Sequence, residues 1–386
     1  MAVSRGSIKA CARNIVKTSN LSRGDAVVIR GGAHTLELLE SIAIETYRKG
    51  AIPMILVTSD KFTRQVYEKI PASTLVTTPK HLVGAAKNCD MIVSVEELDD
   101  PSIAADFPRK KLLARQKAMM PIRDLMSHPT KAKKWLYAGW PTRAAARSFG
   151  IKYRELEDVI IRGMTVPPET LMRIGKRMDR MFKDAAWVHV WDSKGTDFRV
   201  DIKGRMHIID DGVISQEDYD ANDRGANLPA GELFFAPRET AGEGTFFCPI
   251  TKDRVTEKII TDVRLEFKHG RLLLDRVTAS RNLDALVSSF KESEALDRAK
   301  YKKVRTTNIA ELGIGFNPRI RRAFGYILTD EKIRGTVHIA FGGNKGYGGK
   351  SNSTIHWDFV SAPGANIEVE KTDGRVVQVM RSGKLI

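Results

Sequence analysis

Two periodicities divide the chain. In its first part, short uninterrupted apolar runs alternate with stretches whose apolar residues recur every three to four positions. Asp25-Ala26-Val27-Val28-Ile29-Arg30, Ala51 to Thr58 and Met91-Ile92-Val93-Ser94 are the apolar runs. Ile8 to Lys17 and about Thr35 to Lys49 carry helical spacing, and helical patterns continue to about Lys183. Apolar runs without alternation are strands buried on both faces, and helices between them are crossovers. This order predicts an open α/β domain on a parallel sheet. Gly31-Gly32 follows the first run without the third glycine of a dinucleotide fingerprint or a P-loop lysine, so it reads as a tight strand-to-helix turn.

After Ala186 the period falls to two. Trp187 to Trp191 and Thr196 to Ile202 alternate, and short strands are expected at Arg254 to Ile260, Arg264 to Phe267, Leu272 to Leu274 and Thr336 to Phe341. Ile367 to Glu370, a turn at Thr372-Asp373-Gly374, and Val376 to Val379 form a hairpin signal. With one helix near Leu283 to Leu296, the second half reads as an α+β domain rich in antiparallel sheet. The boundary falls near residue 185, giving domains 1–185 and 186–386.

Composition narrows the class. A chain of 386 residues, 42% hydrophobic and 28% charged, is globular and long enough for two cores. It has no run of 18 apolar residues, so no membrane span is expected, and its first residues form an amphipathic helix rather than a secretory signal. Cys11, Cys89 and Cys248 are far apart, which suits a reducing compartment, with the cytoplasm as the expected location, and argues against a thiolate metal site. The net charge of +16 raises nucleic acid or another acidic partner. The densest basic zone, Arg109-Lys110-Lys111 through Lys131, Lys133 and Lys134, carries no interleaved aromatic residues and no nucleic-acid motif. It reads as a solvated basic surface.

Ligand-type residues gather in the second half. His356 and Asp358 form an H-x-D pair, and on a strand positions i and i+2 share a face. Imidazole and carboxylate together suit zinc, cobalt, manganese or ferrous iron. His338 precedes His356 by 18 residues, at the expected end of another strand, with a glycine-rich loop between. Glu232, after a Pro-Ala-Gly turn, and Glu311, in Asn308-Ile309-Ala310-Glu311-Leu312-Gly313, are acids inside apolar runs. A buried carboxylate needs a partner, and a cation, an arginine or backbone amides would serve. His34, His81, His128, His189, His207 and His269 lack any motif, no nucleophile elbow occurs, and Cys248 reads as a buried strand cysteine.

The order Pro-x-Gly-Glu-x-Phe, Ala-Glu-Leu-Gly-Ile-Gly, His-x-Ala-x-Gly and His-x-Asp resembles the aminopeptidase T family of metallopeptidases. Leu21 to Arg30, Tyr47 to Ala51 and Gly195 to Phe198 extend the resemblance over most of the chain. It implies a homodimer of α/β and metal-binding domains acting on small peptides or a related small molecule. It also implies a ligand set of Glu232, Glu311, His338, His356 and Asp358, holding two divalent ions (Zn, Co or Mn) with one carboxylate bridging. Glu232 and Glu311 would then also serve catalysis. The family's tyrosine ligand, seven residues after the position of His338, is replaced here by Lys345. Tyr347, two residues on, would reach the site only through a reshaped loop. Lys345 would favour an anionic substrate. A related branch resembles 2,5-dihydroxypyridine 5,6-dioxygenase, with one Fe(II) on two histidines and a carboxylate. There the pair His356 and Asp358 would be retained and Glu311 would stand where a histidine is expected. A non-catalytic basic binding protein is the third reading, and the presence of both Glu232 and Glu311 argues against it.

Overall fold

The computed structural model describes residues 3–126, 132–220, 223–253 and 256–386. The expected basic Lys131, the histidine His128 and the strand start Arg254-Val255 lie outside the described residues. The chain forms two compact units, Met1–Pro168 with Gly212–Pro229, and Glu169–Asp211 with Ala230–Ile386.

The first unit holds a five-stranded parallel sheet in the order Ile52–Thr58, Ala26–Gly32, Met91–Val95, Lys134–Ala138, Gly225–Leu228. Val27, Val28 and Ile29 are consecutive and all buried, as are Met91, Ile92 and Val93, because helices cover both faces of the central strands. The edge strand exposes Ile52, Met54 and Val57 and tolerates Pro53. The parallel sheet is thus as expected, with two corrections. Gly31-Gly32 closes the first strand, and the turn follows at Ala33–Thr35. Lys134–Ala138 is a strand inside a stretch that reads as helical. Its lysine is not solvated either. Lys134 is 8% exposed, with Nζ 2.7 Å from Asn20 O and 3.0 Å from Asp25 Oδ2. Lys111 and Lys133 likewise bond backbone carbonyls. Part of the basic zone is therefore structural.

The second unit holds two sheets. An eight-stranded sheet runs Arg271–Leu272, Ile259–Lys268, Glu243–Lys252, Asp197–Asp201, Ala185–Trp191, Asn366–Lys371, Val376–Arg381, Lys384–Leu385, with every pairing antiparallel. Of the expected strand Arg254 to Ile260 only Ile259 and Ile260 are strand among the described residues, and they run on through Arg264 to Phe267 as the one strand Ile259–Lys268, while Leu273 leaves the Arg271–Leu272 bridge for a short 3-10 turn at Leu274–Arg276. A five-stranded antiparallel sheet runs His356–Val360, Val337–Gly342, Ile309–Gly315, Glu232–Phe235, His207–Asp210. On its apolar face Phe341 meets Phe267 of the larger sheet edge to face at 5.9 Å, and Trp357 stacks on Phe290 of the helix Leu283–Tyr301 at 5.7 Å. The odd-numbered residues of the Val337–Gly342 strand thus enter the core, and the even-numbered ones point to the other face. Among the described residues, no helix is long and apolar enough to cross a membrane.

Candidate metal centre

The second face of the five-stranded sheet carries the expected ligands, and the register explains why they meet. Directly paired residues of an antiparallel ladder project to the same side. Glu232 pairs with both Gly315 and Asp210, His338 with Gly313, Glu311 and Asp358 with Ala340, and His356 with Gly342. The H-x-D pair lies on the strand His356–Val360, so its two side chains share this face. Glu311 reaches it through an irregularity. Ile309 pairs with Phe341 on the apolar face, and the ladder then slips by one residue before Glu311 meets Ala340. A one-residue slip moves a side chain to the opposite face, and here it turns an acid away from the core.

Small residues make the room. A Cβ on Gly313 would fall 2.0 Å from His338 Nε2, so the imidazole lies over that glycine. Gly342 has φ +120°, and a Cβ there would meet Ile355 O at 2.1 Å. The glycine-rich loop beyond it is pinned by Glu239, which accepts from Asn344 Nδ2 (3.1 Å) and the Lys350 amide and pairs with Arg205 at 2.7 Å.

The ligand-type atoms are close and buried. Glu311 divides its carboxylate between two imidazoles, Oε1 lying 3.2 Å from His338 Nε2 and Oε2 3.5 Å from His356 Nε2. His338 Nε2 is also 3.4 Å from Glu232 Oε2, and His356 Nε2 is 3.2 Å from Asp358 Oδ1. His338 is fully buried, and Glu232, Glu311 and Asp358 are 4–6% exposed. His356 donates from Nδ1 to Gly343 O at 2.8 Å, which leaves Nε2 facing the carboxylates. That is the orientation a ligating imidazole takes when its other nitrogen is anchored. Burial lowers the affinity of both imidazoles for a proton, but the carboxylates outweigh it. A hydrogen bond donated to Glu311 and the charge of Glu232 raise His338 to about 9, and Asp358 and Glu311 raise His356 to about 10. Glu232 Oε2 is buried and accepts no hydrogen bond. A buried acceptor facing an imidazole nitrogen, among further acids, is what a divalent cation fits. Two overlapping groups have donor atoms within 4.8 Å of one another, Glu232 with Glu331 and His338, and Glu311 with His338 and Asp358.

Tyr347 and Lys345 share a turn and differ in place. Tyr347 Oη donates to Ala310 O at 3.3 Å and lies 3.4 Å from His356 Nδ1. Burial, then the charges of Glu311 and Asp358, push its phenol well above the usual range. Lys345 is exposed. Both line an open cavity of about 480 Å³ that His356 also borders.

Three charged neighbours escape a sequence reading. Lys332, 0% exposed, reaches Glu232 Oε1 at 2.5 Å, Asp210 Oδ2 at 2.9 Å and Glu331 Oε1 at 3.0 Å. Burial opposes its charge, but the three carboxylates hold the ammonium well above its ordinary pKa. Thr329-Asp330-Glu331-Lys332, between Gly325 and Gly335, reads as a solvated turn, and no local signal hints otherwise. Elsewhere, His189 pairs with Asp197 and His207 with Asp179, and all three cysteines are free and buried.

Comparison with known proteins bears on the fold and the family. Among curated proteins no sequence match was found. The fold is similar to that of wild-type AmpT from Thermus thermophilus, with 17% identity, 99% of each chain covered and a TM-score of 0.77. It is also similar to 2,5-dihydroxypyridine dioxygenase from Pseudomonas putida, with 15% identity, 100% of this chain and 98% of the other covered, and a TM-score of 0.61. At these identities the likeness is one of fold. The sequence profile of the thermophilic metalloprotease (M29) family matches residues 6–385. The chain therefore belongs to this family of metal-dependent peptidases, the aminopeptidase T family its motifs resemble.

Proposed function

We propose that the protein is an aminopeptidase that removes N-terminal residues from short peptides at a centre of two divalent cations. The observation that carries this reading is the position of Glu311, whose two oxygens face two different imidazoles at 3.2 and 3.5 Å. A carboxylate so placed can bridge two cations, one served by Glu232 and His338 and the other by His356 and Asp358. The charge of the surroundings is compatible with this: Asp210, Glu232, Glu311, Glu331 and Asp358 crowd around one buried ammonium and two imidazoles, an acidic setting that suits divalent cations. Cations held there supply a polarised carbonyl and an acidified water for amide hydrolysis.

The chain's own groups do the rest. Glu232 and Glu311 would hold the cations, and Glu311 would also be the carboxylate placed to accept a proton from water. Tyr347, kept protonated, places Oη at the cavity wall, where its proton could turn from Ala310 O to a substrate oxygen. Lys345, exposed on the same cavity, offers a cation for the terminal carboxylate of a short peptide.

Protein loaded with cobalt or zinc should release the first residue of a free-amine tripeptide and leave its N-acetylated form intact. One iron per chain after anaerobic purification, with oxygen consumed on hydroxylated aromatics and no peptide turnover, would replace this reading with the ring-cleaving dioxygenase. Normal folding with no metal uptake would replace it with a non-catalytic binding protein.

A further inference from the structure

We propose that Lys332 is a positioning residue of the metal centre. It takes one oxygen of Glu232, so that the carboxylate offers a cation only the other. The inference rests on the two-cation reading above. A free carboxylate can bind a cation through either oxygen or both. Glu232 has no such freedom, because Oε1 is 2.5 Å from Lys332 Nζ while Oε2 is buried, accepts no hydrogen bond and lies 3.4 Å from His338 Nε2.

The ammonium is itself fixed in three directions, by Glu232, Asp210 and Glu331. Its backbone is fixed as well. Lys332 O accepts from Asn317 N at 2.9 Å, Asn317 Nδ2 donates to Ala230 O at 2.6 Å, and Phe316 N donates to Gly231 O at 2.8 Å. The segment bearing Lys332 is thus tied to the two residues that precede Glu232. A protonated amine has no lone pair to give a metal, so Lys332 acts through Glu232. By sharing that carboxylate it also reduces the electron density Glu232 donates, which keeps the neighbouring cation a stronger Lewis acid.

The test compares cobalt-loaded wild-type protein with Lys332→Met. Wild-type protein should take up two cobalt ions per chain. In Lys332→Met one of the two binding steps should tighten by about tenfold or more, because a positive charge leaves the site and Glu232 gains a second free oxygen. The visible cobalt band should weaken as a second oxygen of Glu232 enters the coordination shell. Lys332→Arg, which retains the charge, should restore both readouts at least in part. Lys332→Met with wild-type affinities and an unchanged band, even with a lower melting temperature, would overturn the proposal. Should Lys332→Met not fold, Asp210→Asn loosens the ammonium from one side and should weaken the cobalt band in the same sense to a smaller degree. An unchanged band in that variant is the overturning result. A wild-type protein that takes up no cobalt counts against the two-cation reading instead.

Discussion

Gly313→Ala tests whether the imidazole of His338 lies where the register puts it. The new Cβ would fall 2.0 Å from Nε2, 2.1 Å from Cε1 and 2.8 Å from Cδ2 of His338, while ordinary contact begins at 3.4 Å. The ring must therefore withdraw by about 1.4 Å or the strand must move. The strand has little room to do so. Gly313 pairs with His338 on one side and Phe234 on the other, and every residue of Ile309–Gly315 is buried. Overpacking of this kind costs about 1–3 kcal/mol. The functional loss should be larger, because the ring carries Nε2 away from both Glu311 and Glu232. A displacement of about 1 Å in a reacting assembly commonly costs about a hundredfold in rate. Cobalt titration, peptide hydrolysis and thermal denaturation should show weakened uptake of one ion, at least a hundredfold lower turnover and a modest fall in melting temperature. Gly346→Ala, in the neighbouring loop with nothing within 4 Å of the added carbon, is the control and should change none of these. Parent-level metal binding and turnover in Gly313→Ala would refute the reasoning.

Four further outcomes follow from the same geometry. His338 and His356 stand at about 9 and about 10 against an ordinary 6.5, so the stability they lend the metal-free protein is fully present below 6.5 and is lost as pH rises through 9 and 10. The melting temperature of metal-free protein should therefore fall across that window. Saturating zinc should remove the dependence, and its apparent affinity should rise by up to about tenfold per pH unit for each proton displaced; a flat profile without metal counts against the protonated pair. Asp330→Ala should destabilise the protein by about 2–5 kcal/mol in a denaturant titration, because the buried carboxylate accepts from Gly325 N at 2.7 Å and Phe324 N at 3.1 Å and both donors would be stranded. Tyr347→Phe should lower turnover by about a hundredfold with metal content unchanged, the loss expected for a positioned hydroxyl donor. Lys345→Ala should leave metal content unchanged and raise KM for short peptides with a free terminal carboxylate; an unchanged KM excludes the proposed contact.

How legible this centre was depends on the range of the signal. His356 and Asp358 could be paired from sequence because the period of a strand is local. Glu232 and Glu311 could be singled out because a charge in an apolar run is locally anomalous. The opposite holds for Lys332, Glu331 and Asp210. Each has a charged residue beside it, Asp211 next to Asp210 and Asp330-Glu331-Lys332 in a row, so nothing nearby distinguishes a buried ammonium among carboxylates from a solvated turn. Their role appears only when His207–Asp210 pairs with Glu232–Phe235 and the segment after Asn317 folds back on Ala230. The same limit hid Lys134–Ala138 and Gly225–Leu228, neighbours in one sheet although the chain makes a long excursion between them. Even Glu311 was legible for an incomplete reason. Its anomaly suggested a partner, but the slip between Ile309 and Glu311 is what delivers it to the ligand face. In regular register, strict alternation from Ile309 would have set that acid opposite Ile339 on the apolar face, one pair along from Phe341. An irregularity of one residue thus separates a costly buried charge from the carboxylate that faces both imidazoles, and it arises from pairing with a strand almost thirty residues away.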